Sequence, residues 1–128
     1  TSQKIFSKEL LECVFQATSI EISKIEKHSK SFKLLRGFLI KQSHKKISFI
    51  NLGEVNADKI NSIEKLLIND ASIKKEINFI SELSGDSNLS ESAIILIIRL
   101  GGFKYSDIEE IQKYIEVFNI DVNGILVI

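Results

Sequence analysis

A glycine and a lysine stand six positions apart, at Gly53 and Lys59, where the chain passes from an apolar run into a helical pattern. This spacing matches the first glycine and the lysine of the phosphate-binding loop G-x-x-x-x-G-K-[ST], which joins a strand to a helix. In such a loop the backbone N–H groups and the helix N-terminus hold phosphate, the lysine neutralises it, and the hydroxyl holds Mg²⁺. The chemistry that this spacing would serve is nucleotide binding or phosphoryl transfer.

Two residues of the loop depart from what that chemistry needs. Asp58 occupies the position of the second glycine, where its carboxylate would repel phosphate and its Cβ would hinder the required backbone conformation. Ile60 occupies the position of the serine or threonine and offers no oxygen to a metal ion. The same residues also fit an ordinary strand-to-helix connection in which Asp58 is the N-cap. We predict a degenerate phosphate loop at Gly53, Asp58, Lys59 and Ile60, with no catalytic residue, no cofactor and no metal site.

Positive charge is concentrated in one part of a chain whose formal net charge is zero. Residues 24–46 contain eight Lys or Arg, two His and one acid, Glu26, whereas acids outnumber bases in residues 51–128. Such a segment suits an anionic membrane or an acidic protein surface, although a solvated helix face would look the same. Nucleic acid is not expected as a partner, because the acidic second half would repel it. The residues expected to face an oligomer partner or a membrane are Lys27, Lys30, Lys33, Arg36 and Lys41.

Hydrophobic patterning predicts an α/β fold from residue 46 onward. Apolar, β-branched or aromatic runs at residues 46–52, 76–83, 93–100 and 122–128 predict about four strands. The run at 93–100 is apolar on both faces, so we expect it inside a mostly parallel sheet that helices cover on both sides. Helices are predicted from Asp58 to about Asn69 and after a capping box at residues 106–109.

The first 45 residues are predicted to be helical. Ser7 caps a helical pattern that extends to about Lys27, and a second, shorter helix around residues 32–39 is interrupted by Gly37. We therefore expect one domain over residues 1–128, a Rossmann-like α/β unit of the P-loop type. In it, an N-terminal helical part, residues 1–45, precedes a βα core, residues 46–128.

Bulk composition agrees with a single compact domain in a reducing compartment. A hydrophobic content of 44% over 128 residues suits one core. The lone cysteine, Cys13, can form no internal disulfide and is expected to be a buried small hydrophobe. No run of about 18–20 apolar residues and no signal-peptide pattern occurs. The absence of methionine indicates a fragment of a longer protein.

Three segments resemble the cytoplasmic domain of the bacterial tyrosine kinases that control capsule and exopolysaccharide export. The segment KSFKLLR at residues 30–36 is similar to that family's E-x-x-R-x-x-R helix, which packs neighbouring subunits into a ring. The second segment is the degenerate loop at residues 53–60. The third is AIILIIRLGGFKYSDIEEIQKYIEVFNIDVNGILV at residues 93–127, which is similar to the strand, helix and strand that end the family's domain. The resemblance implies a polysaccharide co-polymerase type of protein, held at the cytoplasmic face of the plasma membrane by a preceding transmembrane segment.

The departures from that family concern subunit packing and catalysis. Lys30 stands where the ring helix has Glu, and Glu82 is a lone acid where the family has an Asp-Thr-Pro-Pro strand end. The family's C-terminal tyrosine cluster has no counterpart, because Tyr105 and Tyr114 are isolated. Phosphoryl transfer needs a phosphate cradle, a metal and residues that position it. Since the chain retains Lys59 alone of these, we predict a pseudo-enzyme.

The expected function is that of a non-catalytic cytoplasmic domain of a polysaccharide biosynthesis or export protein. It would act by docking onto a second copy or a polysaccharide-export partner, with an anionic membrane surface nearby. Two alternatives stay open. One is a divergent active ATPase or tyrosine kinase that uses Lys59 with Glu82 or Asp58. The other is an unrelated small α/β regulatory interaction module, such as an anti-sigma-antagonist-like domain.

Overall fold

A computed structural model of the chain describes residues 3–52, 55–81, 89 and 91–128. These residues form four helices and five strands. In chain order the elements are α1 (Lys8–Phe15), β1 (Thr18–Glu21), α2 (Lys30–Lys41), β2 (Lys46–Asn51), α3 (Ala57–Ile68), β3 (Glu76–Ile80), β4 (Ser92–Ile98), α4 (Tyr105–Phe118) and β5 (Val122–Val127).

The five strands form one sheet in the order β1-β5-β4-β2-β3, and every pair of neighbours is parallel. β4 lies at the centre, and all seven of its residues are buried. The predicted α/β class, the parallel sheet and the interior position of the run at 93–100 are therefore confirmed. The sequence predicts this position because a strand that is apolar at every residue needs cover on both of its faces.

Helices supply that cover on both sides of the sheet. From Ala93 to Ile98, the odd-numbered side chains of β4 pack with α2 and α3 in one apolar cluster. The even-numbered side chains pack with α1 and α4 in a second cluster. The two-residue period of the strand thus divides the core into two layers, one on each face of the sheet.

The N-terminal part differs from the prediction because it contributes a strand. α1 ends at Phe15, and Gln16 takes a left-handed conformation with φ 51° and ψ 46°. The chain then enters β1, which pairs with β5, instead of continuing as a helix to Lys27. Ile20 of β1 is 4% exposed. The sheet has five strands rather than four because burial of Ile20 and pairing with β5 outweigh the local helical pattern.

The starts of two helices also differ from the prediction. The side chain that caps α3 belongs to Asn56 rather than Asp58. α4 begins after Lys104, whose N–H donates to the Asp107 carboxylate at 2.9 Å, so Ser106 is not its N-cap. In both cases the helix begins where a side-chain oxygen accepts a hydrogen bond from a backbone N–H that has no partner within the helix.

Two small residues in the helices also lie in surroundings other than those predicted. Cys13 is exposed on the outer side of α1, whereas burial was expected. Gly37 lies within an unbroken α2 and does not interrupt it. The described part of the strand predicted at 76–83 ends at Ile80.

Glycine has opposite surroundings at two positions. A Cβ on Gly124 of β5 would lie 2.7 Å from Cζ of Phe38, so the absence of a side chain lets α2 pack closely on the sheet. A Cβ on Gly37 would meet no atom within 4 Å. Gly124 is therefore required by packing, whereas Gly37 leaves an uncovered stretch of backbone on α2.

Alanine at these two positions is expected to shift stability in opposite directions. Gly124→Ala should destabilise the fold by roughly 1–2 kcal/mol, because the new methyl group must displace the Phe38 ring. Gly37→Ala should stabilise it by about 0.5–1 kcal/mol, because alanine loses less backbone entropy in a helix. Urea unfolding with an unchanged m value measures both shifts. In a Phe38→Leu background the cost of Gly124→Ala should shrink, and an undiminished cost would contradict the steric explanation.

Candidate functional site

The carboxyl ends of β2 and β4 are where this fold would place a ligand site. The two strands are neighbours, but β2 continues into α3 on one face of the sheet and β4 into α4 on the other. The two connections diverge and leave a crevice, and open α/β sheets bind ligands at such switch points. The predicted degenerate loop follows β2 directly and therefore belongs to this edge.

The described residues of that loop form contacts that stabilise the fold. Asn56 Oδ1 accepts a hydrogen bond from the Asp58 N–H at 2.7 Å. The Asp58 carboxylate is in the first turn of α3, where it places a negative charge at the positive end of the helix. Ile60 is 9% exposed and packs in the apolar cluster beneath α3. Gly53, the remaining member of the predicted motif, lies outside the described residues.

Lys59 is exposed and lines a cavity of about 320 Å³ together with Val55, Asn56, Arg99 and Ile128. The described side chains of this lining supply two cations and one amide, and none of these described residues offers a side-chain carboxylate or hydroxyl to Mg²⁺. No group of three His, Cys, Asp or Glu suited to a metal ion occurs in the part of the chain that the structure describes. Glu82, which the active-ATPase alternative needs, lies outside that part. Among the described residues, Lys59 therefore shares this cavity with one other cation, Arg99.

A second cleft, of about 520 Å³, lies on the α4 side of the same edge. Its lining includes cations and acids, among them Lys104 and Asp107. Asn51 at the end of β2 also lines it, and the buried Oδ1 of Asn51 has no hydrogen-bond partner among the described residues. The mixed charges select no single class of ligand.

The N-terminal segment borders this second cleft. The Ile5 N–H donates to the Phe103 carbonyl, and the Gly101 N–H donates to the Ile5 carbonyl, both at 2.7 Å. Gly101 has a φ of 82°, and a Cβ there would lie 2.8 Å from the Phe6 ring. Sequence analysis missed this contact because no local pattern relates the start of the chain to the turn that follows β4.

The predicted basic surface lies on α2 and the turn before it. Lys27, Lys30, Lys33 and Lys41 are exposed, and among the described residues none of these lysines forms an ion pair. Arg36 differs from them. Its side chain is 23% exposed, and its Nε lies 2.5 Å from the Asp70 carboxylate. The Arg36 guanidinium also lies 5.3 Å from the centre of the Phe32 ring. Four of the five predicted cations are therefore exposed, and the fifth, Arg36, is partly buried in an ion pair with Asp70.

Asp70 joins α2 to the connection between α3 and β3. Its carboxylate accepts hydrogen bonds from the Ser72 hydroxyl at 2.5 Å, the Ser72 N–H at 3.0 Å and Arg36. The Ser72 hydroxyl, supported by Arg36 and the Ser72 amide, holds the pKa of Asp70 below its ordinary value, although burial opposes the shift. Sequence analysis did not identify this acid, since its partner is 34 residues away.

α4 carries surface features that sequence analysis also missed. Its outer side is acidic, and Val117 and Phe118 are 66% and 45% exposed. The Tyr114 and Phe118 rings stack with their centres 5.8 Å apart. Phe118 lies in the last turn of α4 and belongs to neither of the two apolar core clusters.

Comparisons of this chain with protein-family models, with curated proteins and with solved structures find no match. The resemblance to polysaccharide-export tyrosine kinases therefore stays a prediction from the quoted residues. Of the helices in the described ranges, none is long and apolar enough to cross a bilayer.

Asp70→Asn is expected to lower the free energy of unfolding by about 2–3 kcal/mol at neutral pH, because it weakens a charged, buried hydrogen-bond group. The folded-state pKa of Asp70 is lowered, so its contribution is present above the unfolded pKa of about 3.9 and is lost as the pH falls through the folded value. The difference between the two proteins should therefore be constant near pH 7 and shrink below about pH 4. Urea unfolding at several pH values measures it.

The exposed Asp121 provides the matched control for this experiment. Asp121→Asn should change stability by less than about 0.5 kcal/mol throughout the pH series. A loss in Asp70→Asn that stays constant down to pH 3 would show that packing, and not the ionised carboxylate, is responsible.

Proposed function

We propose that this chain is a non-catalytic docking domain of a bacterial polysaccharide biosynthesis or export protein. In this proposal the Rossmann-like fold is kept as a scaffold, the phosphate chemistry is lost, and binding takes place on the outer side of α2. The proposed partner is a second copy or another subunit of the export machinery. The proposed setting is the cytoplasmic face of the plasma membrane.

The observation that supports loss of phosphate chemistry is that the loop side chains already have structural roles. Ile60 stands where a phosphate loop has its metal-binding hydroxyl, and this side chain is in the core. The first turn of α3 already has an internal hydrogen-bond acceptor in Asn56 and a negative charge in Asp58. A nucleotide phosphate would have to displace the first and approach the second, and both steps oppose binding.

The observation that supports docking is the contrast among the cations of α2. Arg36 is held by Asp70, whereas Lys30, Lys33 and Lys41 extend into solvent from the same helix. Exposed cations on one rigid helix form a surface that steers and orients an acidic partner. The resemblance to the ring-forming helix of the export kinases supports the same surface and supplies the polysaccharide setting.

The nucleotide part of the proposal predicts no binding of ATP or ADP with Mg²⁺ up to millimolar concentrations. Titration calorimetry on the 128-residue protein is the measurement, and Asp58→Gly serves as a companion variant. Removing the carboxylate of Asp58 should at most produce weak phosphate binding, since Ile60 still supplies no metal ligand. Ile60→Ser is unsuitable, because it would place a hydroxyl in the apolar cluster.

Lys59→Ala distinguishes the active-ATPase alternative. Lys59 is exposed and lies outside the apolar clusters, so this substitution should leave stability nearly unchanged. Micromolar affinity for nucleotide in the unaltered protein, lost in Lys59→Ala, would replace the docking proposal with the enzyme alternative.

A further inference from the structure

Charge is divided between the two faces of the sheet. α2 and α3, which cover one face, carry six basic and two acidic side chains. α1 and α4, which cover the other face, carry two basic and six acidic side chains. In a protein of zero formal net charge, the helices on one face of the sheet are therefore mainly basic and those on the other face mainly acidic. The strongest contributions come from α2, with four cations and no acid, and from α4.

The outer side of α2 combines its cations with exposed apolar groups. Leu34 is 62% exposed and Ile40 is 43% exposed. They lie three positions before and three after Gly37, so each is one helical turn from it. Since a Cβ on Gly37 would meet nothing within 4 Å, the helix has a notch between the two aliphatic side chains. The basic surface is defined here as Lys30, Lys33, Leu34, Gly37, Ile40 and Lys41.

The outer side of α4 has the complementary composition. Val117 and Phe118 project from it, and a shallow groove of about 240 Å³ runs between Glu110, Lys113, Tyr114, Val117 and Phe118. The polar residues that line this groove are Glu110, Lys113 and Tyr114, and the exposed acids Glu109 and Glu116 lie on the same helix. The acidic surface is defined here as Glu109, Glu110, Tyr114, Glu116, Val117 and Phe118.

We propose that the basic surface of one copy binds the acidic surface of a second copy. This inference rests on the proposed docking function and identifies its partner. Each surface has an apolar part bordered by charge, which is basic on α2 and mainly acidic on α4, where Lys113 is the one cation of the helix. Pairing unlike surfaces sets cations against acids and offers the Gly37 notch to Val117 or Phe118, whereas pairing like surfaces would oppose equal charges.

The position of the two surfaces determines the kind of assembly. They lie on opposite faces of the same sheet, so a copy that is bound through α2 still presents α4. The contact is heterologous and can be repeated, which gives a ring if the rotation closes and an open chain if it does not. A contact between two helices lies at the low end of interface sizes, below about 1,200 Å² in total, so we expect association in the micromolar to millimolar range.

Sedimentation of the 128-residue protein over this concentration range at low salt tests the proposal. We expect reversible association that weakens at least tenfold when salt is raised from about 50 to 500 mM, because the contact is charged. Two variants each neutralise one surface: Lys30→Gln with Lys33→Gln and Lys41→Gln, and Glu109→Gln with Glu110→Gln and Glu116→Gln. Each variant alone should associate at least tenfold more weakly.

An equimolar mixture of the two variants is the decisive measurement. One variant keeps the acidic surface and the other keeps the basic surface, so the mixture should form a 1:1 complex that grows no further. Pairing of like surfaces predicts instead that one of the variants still dimerises alone, and this result would overturn the proposal. The matched control for the lysine variant is Lys45→Gln with Lys65→Gln and Lys74→Gln, which changes the net charge by the same amount at exposed positions outside both surfaces. This control should associate like the unaltered protein.

Gly37→Gln separates association from folding. Glutamine should raise the unfolding midpoint, because it is a better helix former than glycine and because a Cβ at this position has open space around it. It should weaken association at least tenfold, because its side chain fills the notch. A variant that is more stable and associates as strongly as the unaltered protein would show that the notch is not the contact.

Binding to vesicles that contain phosphatidylglycerol is the last measurement. A protein that stays monomeric at millimolar concentration, yet binds these vesicles through Lys30, Lys33 and Lys41, would assign the basic surface to a membrane and overturn self-association. A monomer that binds no vesicle would also overturn it and leave docking onto another protein. Nucleotide binding in calorimetry, by contrast, would remove the proposed non-catalytic function without affecting the assembly.

Discussion

The seven consecutive residues of β4, each at most 4% exposed, require apolar cover on both sides of one strand. Burial of each of its large aliphatic side chains contributes about 1.5–3 kcal/mol, so the sheet is stable only where helices lie on both faces. The chain meets this requirement by sending the connection after β2 to one face and the connection after β4 to the other. The crevice at the carboxyl edge and the separation of α2 from α4 both follow from that division.

Much of this architecture can be predicted from sequence because β4 is a continuous apolar run from Ala93 to Ile98 and because β2 and β5 are short, largely apolar segments. β2, β4 and β5 were located within a residue or two, since no other element suits short β-branched segments of that kind. β1 could not be found in the same way. Its four residues follow a good amphipathic helix without a proline or glycine between them, and their strand conformation depends on β5 at the other end of the chain.

The candidate site shows the same limit. The prediction that Asp58 and Ile60 do not suit a phosphate loop rests on residue types alone, because their chemistry is local to the loop. The role of Arg36 could not be recognised, because Asp70 reaches it only after α2 and α3 have packed on the sheet. The exposure of Val117 and Phe118 could not be predicted either, since helical periodicity gives the direction of a side chain around the axis but not which other elements cover it.

The pairing of β1 with β5 has a consequence for the order in which the molecule can form. Thr18 lies opposite Gly124, so β1 is synthesised long before β5, the strand with which it pairs. Closing so long a loop costs chain entropy before any contact offsets it, and this slows folding. β2, β3 and β4 can pair before β5 has been made, whereas β1 has no strand partner until β5 is complete.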